Sequence, residues 1–168
     1  MVVKFCPQCG NKLVKRLIHN KQRLFCAKCG FIYYDNPIPA VGAVIIKDNK
    51  ILCTKRAFPP FAGWWDLPGG FLEGSEDPEK GLKREVKEET GLNITPLTII
   101  GIYKEDRYYK SKKGPSVISI FYLGQIKNGI LKPGDDVAEV KFFPYDKLPK
   151  FPFPHYKILL KDLKKYYK

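Results

Sequence analysis

The stretch from Gly69 to Leu92 constrains this chain more than any other. A glycine pair, Gly69-Gly70, opens a loop. The loop feeds a segment from about Pro78 to Thr90 that reads as one helix, with Asp77 at the N-cap, Pro78 at N1 and Gly91 at C′. Within it Glu85, Glu88 and Glu89 stand at i, i+3 and i+4, on one face and within a single turn. Three like charges this close repel, and a cation among them resolves the repulsion. Carboxylate oxygens suit hard ions such as Mg²⁺, which bridge protein carboxylates to a substrate's phosphates. Leu82 and Val86 form an apolar ridge beside the acidic one, so one side of the helix packs on a sheet while the other faces a cleft. A merely solvated acidic face would not account for the glycine pair or for the single arginine, Arg84, at its place.

Four of the five cysteines form two pairs, Cys6–Cys9 and Cys26–Cys29, each followed by a glycine that lets backbone N–H groups turn toward the thiols. The spacing matches four-thiolate structural metal sites. The segments Leu13–Ile18 and Gln22–Phe25 between the pairs read as a hairpin too small to fold on apolar burial alone, so metal binding supplies the missing free energy. Zn²⁺ is the expected ion; iron takes the same ligands. A closed shell of four thiolates leaves no open position for chemistry. Cysteines in an intracellular compartment ligate metals more readily than they pair. The fifth, Cys53, reads as a small core residue.

A length of 168 residues suits one core domain with a small appendage, here 36–168 preceded by 1–35. No apolar run approaches the ~18 residues that cross a bilayer, so no membrane role is expected. The N-terminal residues carry no apolar h-region, which points to the cytoplasm. The formal net charge of +13 favours polyanionic partners, nucleotides or RNA. The lysines are spread along the chain, so a solvated or heat-adapted surface explains them as well.

Further along, Tyr33–Pro39 reads as a rigid connector and Ala40–Ile46 as a buried strand; Asp48-Asn49 is a turn and Ile51–Arg56 the returning strand. Ile94–Tyr103 and Ser116–Ile126 are strands flanking a basic, aromatic loop. Lys132–Glu139 is an acidic loop, Val140–Phe143 a last short strand, and His155–Tyr167 a closing amphipathic helix with Tyr156, Leu159, Leu160, Leu163 and Tyr167 inward.

The Gly70–Leu92 stretch resembles the Nudix box, whose fixed positions are filled by Gly70, Glu76, Arg84, Glu85, Val86, Glu88, Glu89, Gly91 and Leu92. The lead-in Trp65–Gly70 is similar to the Trp-x-Leu-Pro-Gly-Gly common in that family. The resemblance implies the α/β class: an α/β/α sandwich with a mixed β-sheet, preceded by a zinc ribbon of β-hairpin type. It implies hydrolysis of a nucleoside diphosphate linked to a second group, by attack of water at phosphorus. By the same resemblance Glu85, Glu88, Glu89 and the Gly70 carbonyl hold Mg²⁺ or Mn²⁺, Arg84 orients the glutamates and Glu76 braces the loop. The general base is Glu85 or a later acid, with Asp136 and Glu139 the chosen candidates and Asp135, Glu105 and Asp106 beside them. Arg56 is placed on a substrate phosphate, and Phe61, Trp64 and Tyr108 on the substrate; Trp65 is read as loop packing.

The ribbon joined through Tyr33–Pro37 looks like the layout of NADH pyrophosphatases, but their Ser-Gln-Pro-Trp-Pro-Phe-Pro array is replaced here by Tyr103–Tyr109. Tyr108 or Tyr109 resembles a tyrosine of dinucleoside polyphosphate hydrolases. The whole pattern is most similar to the ADP-ribose pyrophosphatase group. RNA 5′-end hydrolysis is the second reading, and a binding module built on ribbon and scaffold the third; the intact glutamates argue against the third. Homodimers are common among such proteins.

Overall fold

The computed structural model describes residues 3–105 and 116–166. Asp106, Tyr108, Tyr109 and Tyr167, named above, lie outside the described residues, as does the side chain of Glu105. The chain forms two compact units, which divide between Pro37 and Ile38. No helix among the described residues is long and apolar enough to cross a membrane.

In the first unit, β1 (Val14–Ile18), β2 (Lys21–Phe25) and β3 (Ile32–Tyr33) form an antiparallel sheet in that order. His19 and Asn20, both with positive φ, make the two-residue turn between β1 and β2. Its small core is Cys6, Leu13 and Cys26, with Leu24, Phe31 and Tyr33 packed against it.

The second unit is organised around β4 (Ile38–Lys47). The Asp48-Asn49 turn, φ 49° and 58°, returns the chain as β5 (Lys50–Arg56), which continues into the short strands β6 (Trp65–Asp66) and β7 (Gly69–Phe71). The helix α1 (Pro78–Thr90) follows, then β8 (Leu92–Glu105), β9 (Val117–Gly129), β10 (Val137–Pro144) and α2 (Tyr156–Leu163). The sheet order is β10-β5-β4-β9-β8, with β6 on β5 and β7 on β4. The β4–β9 pair is parallel and the others antiparallel, so the sheet is mixed.

Alternation along β4 decides the layers. Val41, Ala43 and Ile45 face one core with Leu82 and Val86 of α1; Val44 faces the other with Leu159 and Leu163 of α2. Helices thus cover both faces, giving the expected α/β/α sandwich. Leu82 and Val86 are fully buried, worth roughly 1.5–3 kcal/mol each.

Several details depart from the sequence reading; β8 and β9, for example, run to Glu105 and Gly129, past the expected Tyr103 and Ile126. The connector is shorter, because Tyr33 ends β3 and β4 begins at Ile38; Pro39 is accommodated within a strand that pairs through its neighbours. β10 begins at Val137 rather than Val140, running along Lys55 and Arg56 past a bulge between Val137 and Glu139. The closing helix ends at Leu163 and tightens into a 3₁₀ turn, Lys164–Tyr166. Asp77 has the extended backbone of an N-cap but no side-chain cap bond; its carboxylate meets Lys80 Nζ at 3.2 Å instead.

Candidate active site

β7 and α1 build the acidic ridge between them. Gly69 and Gly70 pair with Gly42 and Val41 of β4, which sets the glycine backbone against the α1 side chains. Gly69 has φ +150°, and a β-carbon there would run into the Val41 carbonyl, so no other residue fits. At Gly70 a β-carbon would stand 2.6 Å from the Glu85 carboxylate; the bare backbone is the cradle in which that carboxylate lies.

Arg84 spans the ridge. It donates to Glu85 Oε1 at 2.8 Å and to Glu88 Oε2 at 3.0 Å. Its other edge donates to Glu76 Oε1 at 2.6 Å, to Glu76 Oε2 at 3.2 Å and to the Phe71 carbonyl at 3.1 Å. Glu76 also accepts from the Glu73 N–H at 2.8 Å, closing the loop before the helix. The Arg84 bonds hold Glu76 below the usual carboxylate range.

Glu89 is buried and accepts one hydrogen bond, from the Gly69 N–H to Oε2 at 3.0 Å. Burial pushes its pKa well up. The Gly69 N–H lowers it, and the carboxylates of Asp136, Asp66 and Glu85 raise it further. Glu85 is raised chiefly by burial, with Arg84 pulling against it and Glu88 and Asp135 adding to it. Glu85 Oε2, Glu88 Oε1 and Glu89 Oε1 have no donor among the described residues. Oxygens that lack donors, on like-charged carboxylates gathered on one ridge, fit a hard divalent cation.

The loop before β10 closes the end of the ridge. The Gly134 N–H donates to the Glu89 carbonyl at 3.1 Å, Lys132 N–H to the Thr90 carbonyl at 3.0 Å, and Ala57 N–H to the Asp136 carbonyl at 2.9 Å. A β-carbon at Gly134 would collide with the Glu88 carbonyl. Asp135 and Asp136 are thereby brought to the ridge. Glu139 lies on β10, where its carboxylate meets Lys55 Nζ at 3.5 Å.

Arg56, at the end of β5, donates through Nε to the Pro60 carbonyl at 2.9 Å and through Nη1 to Asp66 Oδ2 at 3.4 Å. Sequence reasoning passed over Asp66, a buried acid inside the lead-in. It also accepts from the Leu67 N–H at 2.9 Å and from the Tyr156 hydroxyl on α2. Burial raises its pKa, against Tyr156 and Arg56. Phe61 packs edge-on against Trp64 (6.1 Å) and Phe153 (5.4 Å). Trp64 is 44% exposed, whereas Trp65 packs against Phe143 at 4.7 Å.

In the first unit Cys6, Cys9, Cys26 and Cys29 bring their sulfurs within 4.8 Å of one another, with Cys6–Cys29 at 3.6 Å and Cys9–Cys26 at 3.5 Å. Two matching turns hold them: Gly10 N–H to the Cys6 carbonyl and Gly30 N–H to the Cys26 carbonyl, both 2.9 Å. The Asn11 backbone draws Cys9 down to about 6. The Phe31 backbone pulls Cys29 the same way, but burial and the other thiols together push it up to about 12. Four sulfurs about 2.3 Å from one zinc ion sit about 3.8 Å apart, so the set fits a tetrahedral ion.

The NUDIX domain family matches residues 36–162, and the Nudix N-terminal family, a zinc ribbon, matches residues 4–35. An ADP-ribose pyrophosphatase of Methanocaldococcus jannaschii is 39% identical over 155 residues, 92% of this chain and 85% of that one. The NAD-capped RNA hydrolase NudC of Vibrio atlanticus is 31% identical over 150 residues, 88% of this chain. This chain spans about half the length of that relative, 51%. A NUDIX hydrolase structure from Nitrosomonas europaea matches with a TM-score of 0.76 at 28% identity, over 98% of this chain and 90% of that one.

Proposed function

The chain belongs to the Nudix family of pyrophosphohydrolases, and from that premise we propose that it hydrolyses ADP-ribose, with Mg²⁺ or Mn²⁺ as catalytic cofactor. The observation that carries this reading is Glu89: a buried carboxylate facing three other acids and answered by one N–H. Such a group is costly unless a cation completes it.

Glu85, Glu88, Glu89 and the Gly70 carbonyl hold the ion. When bound, a divalent ion neutralises the diphosphate and lowers the pKa of an attacking water. Arg84 takes one oxygen each from Glu85 and Glu88 and leaves the other oxygen for the ion. Asp136, pinned beside Glu89, accepts the proton of the attacking water; Glu139, paired with Lys55, is the weaker candidate. Arg56 is anchored by Pro60 and Asp66 as a fixed cation for a substrate phosphate. Trp64, 44% exposed and edge-on to Phe61, is available to stack on the adenine; Tyr108 is assigned to the substrate from the sequence. Residues 36–168 form the hydrolase domain. Residues 1–35 form the ribbon, in which Cys6, Cys9, Cys26 and Cys29 hold a structural Zn²⁺.

The choice of ADP-ribose is supported by the M. jannaschii relative, whose length this chain mostly covers. NAD-capped RNA is the second reading, favoured by the relatives that carry that name and by the net charge of +13. A Mg²⁺-supported screen separates them. The expected products are AMP and ribose 5-phosphate, with kcat/KM for ADP-ribose at least about tenfold above NADH, diadenosine polyphosphates and NAD-capped RNA. A preference for the capped RNA installs the second reading; turnover of none of them overturns both.

A further inference from the structure

Residues 1–37 carry seven Lys or Arg side chains and one carboxylate, Asp35. A four-thiolate zinc site adds a net −2, so the ribbon keeps a strong positive charge. The hairpin register puts that charge on one face. Leu24 and Tyr33 pack against the thiol core. The alternate positions, Arg16, Lys21, Arg23 and Phe25, therefore share the opposite face, where Arg16 stands directly across from Arg23.

Two arginines directly opposite are unfavourable in a hairpin without an anion to share them. Neither makes an ion pair among the described residues, and no hydrogen bond reaches the buried Arg23 Nε. Instead each guanidinium carbon sits over a ring: Arg16 over Phe25 at 4.7 Å and Arg23 over Tyr34 at 4.6 Å. The rings hold the two cations in place, with Arg16 exposed and Arg23 half-buried, so both can meet a ligand from the open side.

We propose that this outward hairpin face docks single-stranded RNA, with phosphates on the guanidinium edges and Lys21 and unpaired bases on the guanidinium planes. Planar cations held beside aromatic rings suit a polymer that alternates phosphates with exposed bases. An acidic protein surface offers carboxylates but no planes to stack. The inference does not depend on which small nucleotide occupies the acidic ridge.

The test is fluorescence anisotropy of the full chain with a labelled 5′-hydroxyl oligouridine of about 12 nucleotides, which contains no pyrophosphate to hydrolyse. Binding should weaken steeply with salt. The variant R16A/R23A should lose about tenfold in affinity and flatten the slope of log K against log salt by about 1.4. Its zinc content and its hydrolysis of ADP-ribose should not change. Lys21→Glu, which leaves both stacks intact, should weaken binding in the same direction. Wild-type affinity in both variants overturns the proposal. So does tighter binding of a polyglutamate peptide or a single-stranded DNA of equal length, or RNA affinity that salt does not alter.

Discussion

The ribbon gathers four thiol sulfurs within 4.8 Å of one another, and among the described residues no other group of potential ligands is drawn that tight. The acids of α1 converge from one turn of helix yet stay further apart, because each is answered within the protein: Glu85 and Glu88 by Arg84, Glu89 by the Gly69 N–H. Among the described residues, no Lys or Arg donates a hydrogen bond to the ribbon's thiols. Under the proposed function, then, the ribbon's metal ion is a component of the fold and the ridge's a component of the reaction. Structural sites close around an ion and catalytic sites keep an open position.

Cys26→Ser strains that distinction most. Cys26 is fully buried at the centre of the ribbon core. Its loss should lower metal affinity by at least ~10³-fold and abolish hydrogen-exchange protection across β1 and β2. The main thermal transition of the second unit should barely move. Metal analysis with exchange mass spectrometry reads both, and a ribbon that stays protected without its ion would break the comparison.

Glu89→Gln is the converse. Turnover should fall by about 10⁴-fold, roughly 5 kcal/mol in the transition state. Gln is isosteric and neutral, so the cost of burying a charge disappears and thermal stability should hold or rise. If this variant is strongly destabilised but, while folded, keeps its turnover, the ridge is structural after all.

These two residues also mark what was legible in the sequence. The cysteine pairs and the glutamate face announce themselves through spacing within a few residues, and so do the α1 ends, Pro78 and Gly91, and the Asp48-Asn49 turn. The sandwich followed from the resemblance those spacings carry. Asp66 was missed because its partners, Arg56 on β5 and Tyr156 on α2, are distant in sequence and leave no local pattern. The start of β10 was missed because a bulge interrupts its alternation, and with it the pairing of Glu139 with Lys55. Asp77 looks like a cap by type, but its carboxylate turns to Lys80.

Gly70→Ala separates cradle from charge. The new methyl would occupy the place of the Glu85 carboxylate and push it from the Gly70 backbone, with every acid still present. Turnover should drop about 10²-fold, or ~2.7 kcal/mol, without loss of folding. Raising Mg²⁺ should restore part of it, because the defect lies in ligand placement. If the variant matches wild type, the ridge tolerates disorder that the ribbon cannot.

Acid would blur the two regions, since thiolates release metal on protonation just as a buried base can unfold the sandwich. His155 allows them to be told apart. It sits 5% exposed among Phe153, Tyr103 and Tyr156, and burial lowers its pKa from about 6.5 to about 4. The unfolded chain therefore binds the proton more readily than the folded one. The stability this gives is fully present above pH 6.5 and is lost as the pH falls toward 4. The loss should be on the order of 2 kcal/mol. His155→Phe keeps an aromatic ring in the stack but cannot titrate, so urea midpoints for the second unit should fall less steeply between pH 6.5 and 4 than in wild type. Ribbon metal release over the same range should be unchanged. If instead both slopes flatten together, acid acts on the two units through a shared cause, and their independence as metal-dependent and metal-independent folds would have to be given up.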